Sequence, residues 1–249
     1  MFKLLTTIII LLVSLTSNAR TSEVVPLTAQ AWLVADGSGK IIDGNHTKDV
    51  RSIASITKLM TVMVVLDAQQ DLNEIISTKL YGKKLSRREL ISLAIVKSDN
   101  QAATILCQNY TTGLFGCIQS MNDKAKSLEM NDTRYLEPTG LSIFNVSTAE
   151  DLVKLVIAAS KYQIINEDSN KDSISMPVGK KKTAFFHNTN SLVGKGYDFI
   201  VSKTGWITKS GGCIVMMMTT ERGVRTVVLL GSKNTKTRIP EAKMIALAY

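Results

Sequence analysis

The stretch SITKLMTVMVVLDA, residues 55–68, decides how the rest of the chain is read. Leu59, Met60, Val62, Met63, Val64, Val65 and Leu66 leave it almost no polar face, and a helix that is apolar all round is a buried helix. Ser55 stands at its mouth, where backbone N–H groups lack partners and the helix dipole is positive. Lys58 follows three residues on, on the same face. A lysine at the mouth of a buried helix must be paired or lose its proton. Desolvation, the helix N-terminus and a second cation nearby all lower a lysine pKa from its usual ~10.4. A neutral Lys58 can then take the proton of Ser55. The bland alternative is a plain N-cap serine with a lysine reaching to solvent.

Working outward, Ser98-Asp99-Asn100 follows a helix that opens with a capping box, Ser86-x-x-Glu89, and runs on through Leu90, Ile91, Leu93, Ala94 and Ile95. A second helical run, Gln101 to Gln108, comes next. The triplet is therefore expected in a tight turn between two helices. There Ser98 can pass a proton to a leaving amine, and Asn100 can hold Lys58 and a substrate amide carbonyl. Further on, Lys203-Thr204-Gly205 lies among strand-like runs, Tyr197–Ser202, Cys213–Thr220 and Thr226–Leu230. A cation and a hydroxyl on a strand suit a carboxylate. Gly205 leaves room for a substrate backbone to lie beside that strand as an added one. The N–H of Trp206 can join that of Ser55 as an oxyanion hole. A polar inter-helix turn and a solvent-facing edge-strand lysine are the bland readings of these two triplets.

S-x-x-K, S-D-N and K-T-G in this order resemble the serine D-alanyl-D-alanine peptidases among the low-molecular-mass penicillin-binding proteins. The resemblance covers about residues 28–249. It includes Ile53–Thr61 as a nucleophile helix, Met121–Asn131, and Asn188-Thr189-Asn190 before the final strands. Glu137-Pro138-Thr139-Gly140-Leu141-Ser142, followed by Asn145–Ala149, is similar to the endopeptidase branch, which cuts D-alanyl–diaminopimelyl cross-links. Gly212 and Ile207 depart from the family pattern. The resemblance implies peptidoglycan stem peptides as substrate, an acyl-enzyme on Ser55, β-lactams as covalent inhibitors, no cofactor and a monomer. D,D-carboxypeptidase action belongs to the same reading. Two other classes stay in view: a class A β-lactamase, for which Glu137 is the one tempting water-activating residue, and a penicillin sensor that acylates without turning over.

The N-terminus reads as a targeting segment. Lys3 precedes an apolar run from Leu4 to Leu15, and Ser17-Asn18-Ala19 fits a small-x-small cleavage site. Residues 1–19 are expected to be a signal peptide and 20–249 the catalytic domain, exported to the periplasm without a transmembrane anchor. The apolar run is shorter than the roughly 20 residues a spanning helix needs. Thirty Lys and Arg against 21 Asp and Glu make the chain basic, at +9, which suits contact with an anionic wall. Nucleic acid is excluded, since no reading motif or aromatic–basic interleaving appears. The clusters Lys83-Lys84…Arg87-Arg88 and Lys180-Lys181-Lys182 read as solvated faces. Cys107 and Cys117 flank a break between helical runs and can staple neighbouring helices if they pair, while Cys213 reads as a buried strand residue. With His46 and His187 they form no metal-ligand pattern. Met216-Met217-Met218 reads as core strand.

The chain is expected to open with a hairpin, Gln30–Ala35 and Lys40–Ile42 about Asp36-Gly37-Ser38-Gly39. Helices dominate from Ser55 to about Lys161, one of them starting at a second capping box, Ser147-x-x-Glu150. Strands return from about Thr183 to Leu230, and Thr237–Ala248 closes the chain as a helix. Early strands, middle helices and late strands predict an α+β fold. Its terminal strands form one antiparallel sheet, flanked by helices, with an inserted all-helical region and Ser55 in the cleft between.

Overall fold

The computed structural model describes residues 27–179 and 182–249. The expected leader and its cleavage site lie outside the described residues. In chain order the elements begin with strands β1 (Ala31–Asp36), β2 (Ile41–Asn45) and β3 (Arg51–Ser52), a 3-10 turn at Ala54–Ile56, and helix α1 (Thr57–Asp67). Short strands β4 (Ile75–Ile76) and β5 (Leu85–Ser86) pair with each other ahead of α2 (Arg87–Ser92). A π-helical turn at Leu93–Lys97 leads to α3 (Asn100–Gln108) and α4 (Gly113–Ser127). Strand β6 (Val146–Ser147) pairs with β3 and is followed by α5 (Ala149–Ala159) and α6 (Gln163–Asn170). The hairpin β7 (Ser173–Val178) and β8 (Lys182–His187) precedes the long strands β9 (Phe199–Ile207), β10 (Gly211–Thr220) and β11 (Gly223–Ser232), then α7 (Arg238–Ala248).

The main sheet is antiparallel, in the order β2-β1-β11-β10-β9. Both of its faces are covered. Along β10, Cys213, Val215 and Met217 join the core shared with the helices, while Ile214, Met216 and Met218 join a second core beneath α7. Period-2 alternation thus places the three consecutive methionines in two cores. The helical side is organised about α1, buried from Thr57 to Val65 and packed against α3, α4 and α5. Each fully buried Val, Leu or Met contributes about 1.5–3 kcal/mol, so this helix is a fixed post. Cys107 and Cys117 form a disulfide that ties α3 to α4.

The α+β expectation holds, with the N- and C-terminal strands in one sheet around a helical insert. The first capping box is present, with Ser86 and Glu89 exchanging bonds. The second is not formed, and the N-cap lies one residue further on. Thr148, not Ser147, is the N-cap of α5, and it accepts from the Asp151 N–H. Ser147 is held in β6 with its hydroxyl at Thr133, and the Glu150 carboxylate is taken by Thr47. Strand pairing therefore outranks the local signal. Helices also run on to Asn170, and β7 begins ten residues before the expected return of strands at Thr183.

Candidate active site

The cleft lies between β9, at the open edge of the sheet, and the turns at the ends of the helical elements. The 3-10 turn Ala54–Ile56 feeds directly into α1, with Ala54 at φ 46°. Ser55 is half-buried at this junction, and Lys58 is completely buried. Lys58 Nζ lies 2.8 Å from Ser55 Oγ, 2.8 Å from Asn100 Oδ1 and 2.6 Å from the Thr139 carbonyl oxygen. Burial pushes Lys58 down to about 7, against the opposing pull of the Glu137 and Asp99 carboxylates. As a neutral amine it has two N–H groups and one lone pair. Asn100 and Thr139 accept the two N–H bonds, which leaves the lone pair for the Ser55 hydroxyl.

Ser98 follows the π-helical turn and adopts the left-handed conformation, φ 60°. Such backbone costs about 1–3 kcal/mol and persists where its surroundings enforce it. The next residues do so. Asp99 caps α3 through the Ala102 N–H and accepts from Tyr81 Oη and Lys97. The Asp99 N–H closes on the Leu93 carbonyl. The result turns Ser98 Oγ toward β9, where Lys203 Nζ lies 2.7 Å away.

Val201, Lys203 and Gly205 share one face of β9 by strand alternation. Lys203 is buried and donates to Ser98 Oγ and, at 3.0 Å, to the Thr204 carbonyl. Burial first, then the cations Lys58 and Arg238, push Lys203 well below the ordinary lysine range. Thr204 Oγ1 donates to Thr189 Oγ1 at 2.7 Å, and the Thr189 N–H donates to the Val96 carbonyl. The Asn-Thr-Asn loop thereby ties the strand to the π-helical turn. A Cβ at Gly205 would stand 2.9 Å from the Ser55 nitrogen and 3.0 Å from the Ile53 oxygen. Only glycine lets the strand come this close to the Ser55 turn. Trp206, next along, is half-exposed at the cleft. A cavity of about 480 Å³ opens beside Asn100 and Thr139, lined also by Lys79, Leu80, Ile105 and Leu141.

The structure therefore brings together Ser55, Lys58, Ser98, Asn100, Lys203, Thr204 and Gly205. Sequence reasoning missed three contributors. The Thr139 carbonyl holds Lys58 through backbone, which no side-chain motif signals. Arg238, buried at the start of α7, donates to the Gly205 carbonyl at 2.5 Å. Its only trace in the sequence is Gly212, where a Cβ would meet the Asn234 oxygen at 2.7 Å and the Arg238 side chain at 3.2 Å. Thr189 lies inside a loop that is conspicuous in the sequence only for its asparagines. Cys213 is buried and free, His187 is exposed, and among the described residues no group of His, Cys, Asp and Glu could hold a metal.

This backbone is that of the penicillin-binding transpeptidases. The Streptomyces K15 DD-transpeptidase superposes with a TM-score of 0.82 over 88% of this chain and 96% of that one, at 23% identity. Penicillin-binding protein D2 from Listeria monocytogenes, in its cefotaxime-bound form, superposes at 0.77 over the same shares, at 25% identity. The chain belongs to the peptidase S11 family, D-alanyl-D-alanine carboxypeptidase, which it matches over residues 17–81 and 70–234. It is a serine D-Ala-D-Ala peptidase of that family. The D-alanyl-D-alanine endopeptidase of Escherichia coli (strain K12) is 38% identical over 221 residues, 82% of this chain and 71% of that protein. The protein of the same name from Pseudomonas aeruginosa is 36% identical over 233 residues, 87% of this chain and 75% of its own length.

Proposed function

We propose that residues 20–249 form the catalytic domain of a periplasmic D-alanyl-D-alanine endopeptidase that opens D-Ala–diaminopimelate cross-links in peptidoglycan. The observation that carries this reading is the bond set at Lys58. Two acceptors hold its N–H groups and Ser55 Oγ lies 2.8 Å away. Lys58 takes the Ser55 proton as Oγ adds to the D-alanyl carbonyl. The oxyanion is met by the N–H groups of Ser55 and Trp206. The C–N bond then breaks, Ser98 relays a proton to the departing amine, and the D-alanyl group is left as an ester on Ser55. Water hydrolyses that ester with the same base. Asn100 steadies Lys58 and the substrate amide. Lys203 and Thr204 receive the substrate carboxylate, which supplies the counter-charge that Lys203 lacks in the free chain. Gly205 leaves space for the peptide beside β9.

Endopeptidase action is favoured over carboxypeptidase action by the relatives that carry that name. The β-lactamase alternative needs a glutamate free to activate water. Glu137 is not free, because its two oxygens already accept from Thr139, Gly140, Ser142 and Asn145. β-Lactams are expected to acylate Ser55 and leave slowly. The mature form is read as a monomer released by removal of residues 1–19. No described helix is long and apolar enough to cross a membrane.

The deciding experiment is digestion of purified cross-linked and uncross-linked muropeptides. Conversion of dimers to monomers supports the reading. Trimming of free pentapeptides alone keeps the family and removes the endopeptidase assignment. Rapid turnover of penicillin would make the β-lactamase reading the better one.

A further inference from the structure

Glu137 is half-buried beside the cleft, and its carboxylate is bonded by neutral donors instead of a salt-bridge cation. Oε2 accepts from the Thr139 N–H at 2.7 Å and from Thr139 Oγ1 at 2.6 Å. Oε1 accepts from the Gly140 N–H at 2.6 Å, the Ser142 N–H at 3.3 Å and Asn145 Nδ2 at 3.1 Å. These donors all belong to the loop that Glu137 itself begins. The carboxylate folds that loop around its own charge, and two side chains of α1 then grip the loop by its carbonyls. Thr61 Oγ1 donates to the Pro138 oxygen at 2.8 Å, and Lys58 Nζ donates to the Thr139 oxygen at 2.6 Å. Asn145, fully buried, ties the same carboxylate to Thr57 Oγ1 at the foot of α1. Gly140 takes φ +82° and lies so close to the nucleophile turn that a Cβ there would stand 1.9 Å from the Ala54 oxygen.

We infer that Glu137 is a positioning residue for acylation: its carboxylate fixes the Thr139 carbonyl that orients the amine of Lys58 toward Ser55. This rests on the reading of Lys58 as the base that takes the Ser55 proton. A base held out of line loses most of its effect, since a misplacement near 1 Å is worth about a hundredfold in rate. Glu137 also acts on Lys58 through its charge. The charged groups facing Lys58 are Glu137 from this loop, Asp99 at the start of α3 and Lys203 on β9. The two acids favour its protonated form. Removing the Glu137 charge therefore shifts Lys58 further down.

The test is the second-order rate of acylation by labelled penicillin between pH 5 and 9, on the full chain, for the wild type, Glu137→Gln and Glu137→Asp. Melting temperature is measured beside it. Glu137→Gln keeps the shape, but its amide nitrogen cannot accept. Its plateau rate is expected to fall roughly tenfold or more, and its acid limb to move to lower pH. Glu137→Asp keeps the charge but falls one methylene short of its donors. Its plateau should fall while its acid limb stays in place. If Glu137→Gln does not fold, Glu137→Asp carries the test by itself. An aspartate variant that acylates at the wild-type rate overturns the proposal, as does a glutamine variant whose limb does not move. A glutamine variant that acylates normally and stalls only at deacylation also overturns it, in favour of a water-activating role. Penicillin reports on the site and not on the cross-link, so the endopeptidase reading can fail in muropeptide digests while this result stands.

Discussion

On the sheet wall of the cleft, Lys203, Thr204 and Gly205 follow one another along a regularly paired stretch of β9. On the helical wall, Ser55, Ser98 and Thr139 come from three separate irregular turns, each marked by a positive φ, at Ala54, Ser98 and Gly140. The walls also hold their lysines differently. Lys58 has two acceptors and the Ser55 hydroxyl about it, with two acids in range. Lys203 has a hydroxyl and its neighbour's carbonyl, and the charges in range are cations. One lysine is fully partnered in the free chain and, on the proposed reading, exchanges a proton. The other has no carboxylate partner among the described residues and, on the proposed reading, receives that of the substrate. Irregular backbone fixes a reacting atom from several directions, and a strand presents a row of contacts to something that lies along it.

Swapping chemistry between the walls is the strongest way to break this contrast. Ser55→Ala should abolish labelling by penicillin. Lys58→Arg should lower acylation roughly a hundredfold to ten-thousandfold, the range a general base supplies, because guanidinium stays protonated. Lys203→Arg should keep measurable labelling, because a cation remains for the carboxylate. If the two arginine variants behave the other way round, the roles of the walls are reversed.

A pH series sharpens the same point. Lys58 is neutral above about 7 and protonated below it, so acylation should fall as pH drops through that value, about tenfold per unit well below it. The sign for stability runs the other way from a paired lysine. Between about 7 and the ordinary 10.5 the unfolded chain holds a proton at Lys58 that the folded chain lacks. This group's contribution to stability therefore increases with pH across that window. Denaturation at pH 7 and pH 9 should show a larger gain for the wild type than for Lys58→Met.

Two glycines compare the walls in packing. Gly140→Ala forces a side chain into positive φ against the Ala54 oxygen and should cost about 3 kcal/mol or more. Gly205→Ala meets its neighbours at 2.9–3.0 Å without a positive φ, and should cost less stability while still slowing acylation. Denaturant titration ranks the two. The smallest effect is expected at the Cys107–Cys117 bond, which braces the helical wall behind Asn100. Replacing both cysteines by alanine should cost about 2–3 kcal/mol and leave acylation nearly unchanged. A large loss of acylation would mean that α3 relies on this staple to hold Asn100.

How much was legible in the sequence follows the same division. The sheet wall is written in strand alternation and in one motif, so Lys203, Thr204 and Gly205 were readable, as were the three long strands. The buried helix behind Ser55 was readable because nothing else explains so continuous an apolar run. The helical wall was readable only where a side chain carries the role. Ser98, Asn100 and Lys58 were found. The Thr139 carbonyl was not, because backbone acceptors leave no mark in composition. Glu137 was noticed as a candidate base, but its saturation by its own loop depends on turns that local propensity does not specify. The capping signal at Ser147 and Glu150 failed because β-pairing with Arg51 and a hydroxyl from Thr47 claimed those groups first. Arg238 left no trace but Gly212, because its partner is a backbone oxygen on a strand far away in sequence.

Strand β1 pairs with β11, Ala31 against Leu230, so the sheet joins the two ends of the described chain. That topology sets a schedule. Among the described residues, strand β9 pairs only with β10, and β10 with β11, which both follow it in the chain, while β11 pairs back to β1 at the other end. Long-range pairing of this kind is slow, and half-made sheets stay sticky until they close. Because Lys203 and Gly205 reach the Ser55 site from β9, labelling of Ser55 during refolding is expected to appear only once β9 has docked. A burst of labelled penicillin applied during refolding would then time the docking of that wall, with Ser55 as the clock.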